Sequence, residues 1–268
     1  MNLPCVYLKK TKNRRRFVKR IFEETEIGKE IKEIKKILLK PNIVSFEPYP
    51  TTTHPDLLRV CLEILLGFKK EVLVADGPAY DAGDSEKIIR EHYLKKVCDE
   101  FGIQLIDLNH QSFKKVRTES FELEISTIPS EYDYIISLPV LKSHGECGIT
   151  GALKNQYGLL STKSKSRLHR MNIHKAIAEL NLAIRPNFWL LDAIQTLIET
   201  NEVRHGGKLR KLNFMLAGKD PVSLDIEGFN LLKKVDSNLK NKNPEDIRHL
   251  KYAIDLGVGE KEYEIKTF

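Results

Sequence analysis

The sequence predicts an α/β protein with a largely parallel, twisted sheet, helices on both faces and a small β-hairpin insertion. Short apolar segments typical of buried strands alternate with longer amphipathic segments typical of helices along most of the 268 residues. Many of the apolar segments end in turns that contain glycine, proline or an ionisable residue. No internal repeat or low-complexity linker interrupts this alternation, so we expect residues 1–268 to form a single domain.

The expected strands are short, mostly apolar and bounded by turn residues. Because they alternate with helices, they favour a parallel sheet that is covered on both faces. Along the chain they fall at residues 5–8, 36–39, 71–75, 103–108, 134–138, 188–191, 212–216 and 263–265, with a hairpin across residues 113–126.

The expected helices carry apolar residues that repeat on one face. Pro55 suits the first turn of a helix at residues 55–66, and Asp84 or Ser85 would cap the next helix, whose buried stripe runs from Ile88 to Phe101. The other helices are expected in a charged region that ends near residue 32 and at residues 173–184, 222–234 and 245–256.

The composition is that of an ordinary soluble protein, with 41% hydrophobic and 30% charged residues. No apolar run approaches the length of a membrane span, and the N-terminal residues lack the apolar core of a secretory signal, so we expect a cytoplasmic protein without membrane contact. The four cysteines are widely spaced and form no disulfide framework or local metal motif. Abundant lysine and glutamate suggest a thermophilic source.

The positive charge is concentrated near the N-terminus. Residues 1–40 hold 13 Lys and Arg against five Glu, whereas the whole chain has a net charge of +7. The basic segment at residues 9–20 is therefore one candidate for binding nucleic acid, although no recognisable reader motif accompanies it. A solvated connection that leads into a helix is the alternative that we favour.

The glycine-rich loop at residues 139–160 is the strongest functional signal. A strand that ends at Pro139 is followed by two lysines, a histidine, a cysteine and an asparagine, interleaved with four glycines. Glycine here indicates special backbone conformations beside polar side chains, which is typical of a binding or catalytic site. The polar residues are Lys142, His144, Cys147, Lys154 and Asn155.

Other predicted strands also end in polar residues. Lys40 and Asn42 follow one strand, Asp76 follows the next, and Asp192 and Asp220 follow two later ones. Ligands of open parallel sheets bind outside the carboxyl ends of the strands, so these side chains and those of the glycine-rich loop are expected to meet at one edge. For Asp220, which precedes a proline and a helix, a capping role is favoured.

The residues of this edge are expected to bind a small anionic substrate or cofactor. Lys142 and Lys154 would contact the anion or provide a covalent amine, His144 would be a general base or metal ligand, and Asp76 would orient one of them. Lys40, Asn42 and Asn155 would complete the binding site.

Two further segments are candidates for the same site. Thr53 and His54 precede the predicted helix at residues 55–66, where free backbone amides can hold an anion, although a plain helix cap is the equal alternative. Glycine-containing loops at residues 80–84 and 204–207 would be lids or ordinary connections.

A metal is the second possibility for the site. His144, His169 and His174, with Cys147, form a sparse set of candidate ligands for nickel or iron. His92, His110 and His249 have no polar cluster around them in the sequence and are left out of the predicted site. Residue Asn172 would cap a helix that starts after His169.

Several motifs resemble those of the domain of unknown function 362 family, which occurs in archaea and bacteria and is sometimes fused to ferredoxin-type iron–sulfur modules. The resemblance runs from about residue 36 to 231 and implies the fold more firmly than an activity. A ferredoxin-like partner is thereby a further expectation. The motifs are KPNIV at 40–44, TTTHP at 51–55, ADGP at 75–78, LPVLKSH at 138–144, GALKNQYGLL at 151–160, the histidine-containing segment 169–174, LLDAI at 190–194 and AGKDPVSLD at 217–225.

A more distant resemblance is to the catalytic domain of the nickel-pincer lactate racemases. In that family a histidine precedes a cofactor-bearing lysine by ten residues, a spacing shared by His144 and Lys154, and His169 lies near a later nickel-binding histidine. The racemase's substrate-binding aspartate and arginine correspond to Thr51 and His54, and another catalytic histidine to the region of Ala79, so those groups are missing here. The resemblance implies a site around His144 and Lys154 that holds an organic or metal cofactor. A non-catalytic protein that handles metals or iron–sulfur clusters is the alternative to an enzyme.

Overall fold

A computed structural model describes residues 3–267 and contains an eight-stranded mixed sheet. The strands occur in the order β12-β1-β11-β10-β7-β2-β3-β4, and two separate hairpins are formed by β5 with β6 and by β8 with β9. The strands are β1 (Cys5–Lys10), β2 (Lys36–Pro41), β3 (Glu71–Asp76), β4 (Leu105–Asp107), β5 (Phe113–Arg117), β6 (Glu122–Ser126), β7 (Tyr134–Leu138), β8 (Lys142–His144), β9 (Gly148–Thr150), β10 (Phe188–Ile198), β11 (Lys208–Gly218) and β12 (Glu264–Thr267).

The sheet is largely parallel, as predicted. Strands β4, β3, β2, β7 and β10 pair in parallel, and β12 pairs in parallel with β1. Strand β11 is antiparallel to both of its neighbours, β10 and β1, so within residues 3–267 it is the one strand of this sheet that runs against the others. The predicted hairpin insertion is confirmed, since β5 and β6 pair in antiparallel register.

Helices cover both faces of the sheet, each over its own apolar core. Leu38 of β2 belongs to one core, and Ile37 and Leu39 to the other, because alternate residues of a strand point to opposite faces. One face is covered by α1 (Arg14–Glu24), α2 (Glu26–Glu33), α3 (Pro55–Gly67), α4 (Ser85–Glu91) and α5 (Tyr93–Glu100), and the other by α6 (Ala152–Asn155), α7 (Thr162–Ala183), α8 (Pro221–Leu232) and α9 (Arg248–Asp255).

Two predicted helices are divided in the structure. The charged N-terminal region forms α1 and α2 because Thr25 adopts an extended conformation and caps α2 by accepting a hydrogen bond from the Ile27 amide. The stripe after Asp84 is shared by α4 and α5, which meet at His92, also extended. Each break supplies a new N-terminal cap, so the apolar faces before and after it remain buried.

The basic segment is only partly solvated. Arg14 begins α1, is 8% exposed, and donates from Nε to Asp192 Oδ2 over 2.5 Å. Phe17 and Val18 on the same helix are buried. The expected solvated connection is therefore wrong for this part of the segment, which docks against the sheet through an ion pair and an apolar face.

Two of the predicted strands are too short. Strand β10 continues past Asp192 to Ile198, and β11 begins at Lys208. Asp192 is wholly buried inside β10, where its carboxylate also accepts a hydrogen bond of 2.9 Å from the Tyr49 hydroxyl. Asp220 caps α8 by accepting from the Ser223 amide, as favoured from the sequence, and it lies at the opposite edge of the sheet because β11 is antiparallel.

None of the helices in the described part of the chain is both long and apolar enough to cross a bilayer.

Candidate functional site

A cavity of about 400 Å³ opens at the carboxyl ends of β2, β3 and β7. The chain passes from β2 to β3 on one side and later places β7 on the other side of β2, so the cavity lies where the strand order reverses. It brings together most of the residues that the sequence predicted for the site. The predicted residues that line it are Asn42, Asp76, Lys142, His144, Lys154, Asn155 and His169.

Lys40 and Asp76 form a buried ion pair beside this cavity. Lys40 Nζ donates to Asp76 Oδ1 over 2.7 Å, and Asp76 Oδ2 accepts from the Ile43 amide over 2.6 Å. Burial lowers the pKa of Lys40, and the Asp76 carboxylate opposes that shift. The pair holds the ends of β2 and β3 together, and Lys40 itself does not line the cavity.

Lys142 is 1% exposed and lies on the cavity wall. Its Nζ donates to Asn42 Oδ1 over 2.9 Å and to the Thr51 carbonyl. Burial lowers its pKa to about 7. These two hydrogen bonds leave one position on the nitrogen without a partner. When Lys142 is protonated, that position is a third N–H, and when Lys142 is neutral, it is a lone pair.

A third buried lysine, Lys165 in the first turns of α7, was missed in the sequence. Its Nζ lies 3.0 Å from the carbonyl oxygens of Gly77 and Pro78 and 2.6 Å from Asn109 Oδ1. Burial lowers its pKa to about 7, whereas three acceptor oxygens favour the ammonium, which has three N–H groups to give. Lys165 therefore lines the cavity with its ammonium group held in place by three oxygens. In the sequence, its position three residues before the apolar Leu168 was the one sign that Lys165 lies on the buried face of a helix.

Lys154 and Asn155 lie on the short helix α6. Lys154 Nζ is 5.5 Å from the ring centroid of Tyr157, and among residues 3–267 it has no hydrogen-bond or ion-pair partner. Asn155 Nδ2 donates to Ser137 Oγ over 2.9 Å, while its buried Oδ1 has no partner in the described chain. The helix therefore presents to the cavity a cation that forms no hydrogen bond or ion pair within the described residues.

Asp225 fixes the start of α6 and was also missed. Its carboxylate accepts from the amides of Ala152 over 2.6 Å and Leu153 over 3.0 Å. Burial raises the pKa of Asp225 to about 7, against the two amide donors, which favour the ionised form. Gly151 precedes these amides, and a Cβ on it would collide with the Asp225 carboxylate, so the close approach requires glycine here.

His144 ends β8, and its tautomer is set by the backbone. Its Nδ1 accepts from the amides of Glu146 over 3.2 Å and Cys147 over 3.1 Å. Backbone amides can only donate, so Nδ1 is unprotonated and the neutral ring carries its hydrogen on Nε2. Burial, followed by the nearby Lys154, holds the pKa of His144 well below its usual range. His144 thus offers a hydrogen-bond donor to the cavity.

His169 lies in the first half of α7 instead of preceding the helix. The helix is kinked at Asn172, whose side chain accepts from the Lys175 amide over 3.1 Å, so the predicted cap is confirmed for the second half. His169 Nε2 lies 3.1 Å from Glu146 Oε2, and its ring meets that of Tyr80 edge-on at a centroid distance of 5.7 Å.

The two loops predicted as either lids or ordinary connections contact each other beside the cavity. Arg204 donates to the carboxylate and the backbone carbonyl of Asp81, each over 3.1 Å. Arg204 also pairs with Glu202, a buried carboxylate of the cavity wall that sequence reasoning missed. The bridge joins residues 80–84 to residues 204–207.

Besides Lys40, the predicted residues Thr53, His54 and His174 lie outside the cavity lining. Thr53 accepts from the Asn42 amide over 2.7 Å and donates to the Leu138 carbonyl over 2.7 Å, so it joins two strand ends. His54 caps α3 by accepting from the Asp56 amide over 3.1 Å. His174 lies behind the β8–β9 hairpin, beside Cys147.

The charges of the cavity favour an anion. Among the described residues, Lys142, Lys154 and Lys165 form no ion pair with a carboxylate, whereas Asp76 and Glu202 are each paired with another basic side chain. Unpaired ammonium groups in a partly enclosed site attract negative charge strongly because little water screens them.

Residues 37–230 match the family described as a domain of unknown function, DUF362. These are nearly the bounds over which the sequence motifs resembled that family. The match covers more than half of the chain and includes every element that lines the cavity.

The proteins similar to this chain include a thylakoid-associated protein and a lactate racemase. A thylakoid-associated protein of Synechocystis sp. is 23% identical over 208 residues, which are 75% of this chain and 64% of that protein. The lactate racemase apoprotein from Thermoanaerobacterium thermosaccharolyticum superposes with a TM-score of 0.55 at 15% identity, over 85% of this chain and 57% of the racemase. The chain spans less than two thirds of either relative, and the racemase shows that the two proteins share a fold.

Proposed function

The chain belongs to the DUF362 family, and we propose that it is an enzyme that binds a small anionic substrate or cofactor in the cavity at its strand ends. One observation carries this proposal: Lys154, an ammonium group without a hydrogen-bond partner among residues 3–267, and Lys142, with one position to spare, face the same cavity. A carboxylate or phosphate would supply the missing acceptors. The cavity volume suits a metabolite or cofactor.

The chemistry that this arrangement supports best is proton transfer next to a carboxylate or carbonyl group. Lys142 has a pKa of about 7, so it can accept and return a proton near neutral pH. His144 donates its Nε2–H to an oxygen that gains negative charge, while its two amide bonds disfavour the roles of base and metal ligand. Lys154 holds the anionic group.

Lys154 also fits the covalent attachment of a cofactor, which the resemblance to the lactate racemases implies. Its amine forms no hydrogen bond or ion pair in the described structure, and His169 is the nearby imidazole that could hold a metal, in exchange for its contact with Glu146. Thr51 and His54, which stand where the racemase has substrate-binding groups, do not line the cavity. Lactate is therefore not the substrate that we propose.

The two alternative functions have less support. Within the basic segment, Arg14, Arg15 and Arg20 each form an ion pair with a carboxylate of the same chain, which reduces the charge available to nucleic acid. A ferredoxin-like partner and a cytoplasmic location remain expectations from the family and the sequence. The anion site is the function that the buried lysines favour.

The test combines mass spectrometry with titration calorimetry. Intact mass of the purified protein, followed by peptide mapping, would reveal a group attached to Lys154. Calorimetry with a panel of mono- and dicarboxylates, 2-oxo acids and phosphate esters would find the anion. Its affinity should fall at least about 10-fold in Lys154→Ala and stay unchanged in Lys163→Ala, which alters an exposed lysine of the same region. Equal binding by both variants, or no binding of any anion by a protein of the encoded mass, would contradict the proposal.

A further inference from the structure

Three side chains of metal-binding type converge behind the β8–β9 hairpin, outside the cavity lining. Cys147 comes from the turn of the hairpin, His174 from the second half of α7, and His249 from the first turn of α9. One ligand atom from each lies within 4.8 Å of the others, and the residues are 2%, 6% and 0% exposed. These are three elements distant in sequence, so the cluster is a product of the tertiary fold.

The imidazoles of this cluster lack the hydrogen bonds that buried rings normally form. Neither ring nitrogen of His249 has a hydrogen-bond partner in the described chain, and the same holds for Nδ1 of His174. A buried polar group without a partner costs about 1–3 kcal/mol, so a fully buried imidazole with two such atoms requires an explanation.

We propose that Cys147, His174 and His249 bind one zinc-type ion, a borderline-soft divalent cation, through a thiolate and two imidazole nitrogens. A sulfur and two nitrogens are a donor set that zinc favours, with water as the fourth ligand of a tetrahedron. The ion would bind one nitrogen of each ring and so give each imidazole a partner that the described chain does not supply.

The ion would have a defined structural effect on the neighbouring cavity. The Cys147 amide donates to Nδ1 of His144 over 3.1 Å, so the residue that binds the ion also fixes the tautomer of a cavity residue. A Cβ on Gly148 would contact the Ile247 side chain, which shows how closely the hairpin packs on the start of α9. A bound ion would therefore pin the hairpin that carries Lys142 and His144 to the two helices.

The test uses metal-free protein and competition with a chromophoric zinc chelator. We expect one equivalent of Zn²⁺ to bind, and Co²⁺ in its place to give a thiolate-to-cobalt charge-transfer band with the visible bands of a tetrahedral ion. Cys147→Ser and His249→Asn should weaken Zn²⁺ binding more than about 100-fold. Cys98→Ser and His92→Asn are the controls, since both residues are buried outside the cluster, and they should bind as the wild type does.

A second measurement covers the case in which a variant folds poorly. In the wild type, Zn²⁺ should raise the thermal midpoint and protect Cys147 from alkylation, and a chelator should reverse both effects. The proposal is overturned if no equivalent of Zn²⁺ binds, if the charge-transfer band is absent, or if Zn²⁺ leaves the alkylation of Cys147 unchanged.

Discussion

Asp225 accepts a hydrogen bond of 2.6 Å from the backbone amide of Ala152, so a carboxylate of α8 holds the first turn of the helix that carries Lys154. The four-residue helix α6 has no side-chain cap of its own. A helix this short is unstable alone, and a buried partner from another element supplies what its sequence lacks.

Replacement of Asp225 by asparagine tests this support. The asparagine side chain would offer one oxygen and an N–H₂ group to two amide donors, so one amide would lose its acceptor. We expect Asp225→Asn to lower the free energy of unfolding by about 1–3 kcal/mol and to weaken anion binding. Asp220→Asn is the matched control, because Asp220 caps α8 at the other edge of the sheet. It should lose stability without losing affinity, as measured by urea unfolding and calorimetry.

Lys154→Ala should separate binding from stability. Because Lys154 is only partly buried and has no hydrogen bond or ion pair within residues 3–267, its removal should shift the thermal midpoint by no more than Lys163→Ala does. Anion affinity should fall at least about 10-fold, the loss of one charge-assisted hydrogen bond. A large drop in the midpoint would show that Lys154 is structural.

The affinity for an anion should depend on pH through Lys142. Its folded-state pKa is about 7, so the ammonium is present below that pH and lost above it, and affinity should fall as the pH rises from about 6 to about 9. Calorimetry of Lys142→Met should show a weaker dependence over the same range.

Stability should change in the opposite direction. Between pH 7 and the ordinary lysine pKa of 10.5, the unfolded chain holds more protons than the folded chain, so the Lys142 contribution to stability rises with pH. Urea unfolding should show the wild type gaining about 1–3 kcal/mol more than Lys142→Met across this interval. A wild type whose stability falls in step with the variant would exclude the lowered pKa.

Gly158→Ala should disrupt the buried ion pair beside the cavity. A Cβ at residue 158 would collide with Asp76 Oδ1 and come within 3.0 Å of Lys40 Nζ, two groups with no room to move. We expect a loss of about 2–4 kcal/mol, since breaking a buried ion pair leaves uncompensated charge. At Gly67 an added Cβ meets nothing within 4 Å, so Gly67→Ala should unfold at about the wild-type midpoint.

The parallel core of the fold could be predicted because its strands are nearly continuous apolar segments. Residues 134–138 were predicted as a strand and form β7. The second half of β10 was missed because Gln195 and Thr196 are polar, although Thr196 is buried and donates to the Leu141 carbonyl over 2.7 Å. The hydropathy of neighbouring residues cannot show that Thr196 finds a hydrogen-bond acceptor more than fifty residues away in the sequence.

The candidate site was predictable where it follows strand ends and glycines, and not where distant elements complete it. Lys165 lies in a polar, exposed-looking run, yet its acceptors come from Gly77, Pro78 and Asn109. Asp225 likewise reaches the Ala152 amide, and His249 reaches Cys147 and His174, only when α8 and α9 pack against the rest of the fold. Their chemistry depends on contacts that a single sequence does not reveal.

The position of β1 in the sheet sets an order for folding. In the sequence, strands β2 to β10 lie between β1 and its two neighbours in the sheet, β11 and β12, so β1 cannot pair until these later strands have been made. Arg14 must likewise wait for Asp192 before its charge is paired. Until then, β1 remains an unpaired strand and α1 a basic helix with an exposed apolar face, and segments of this kind are prone to aggregate.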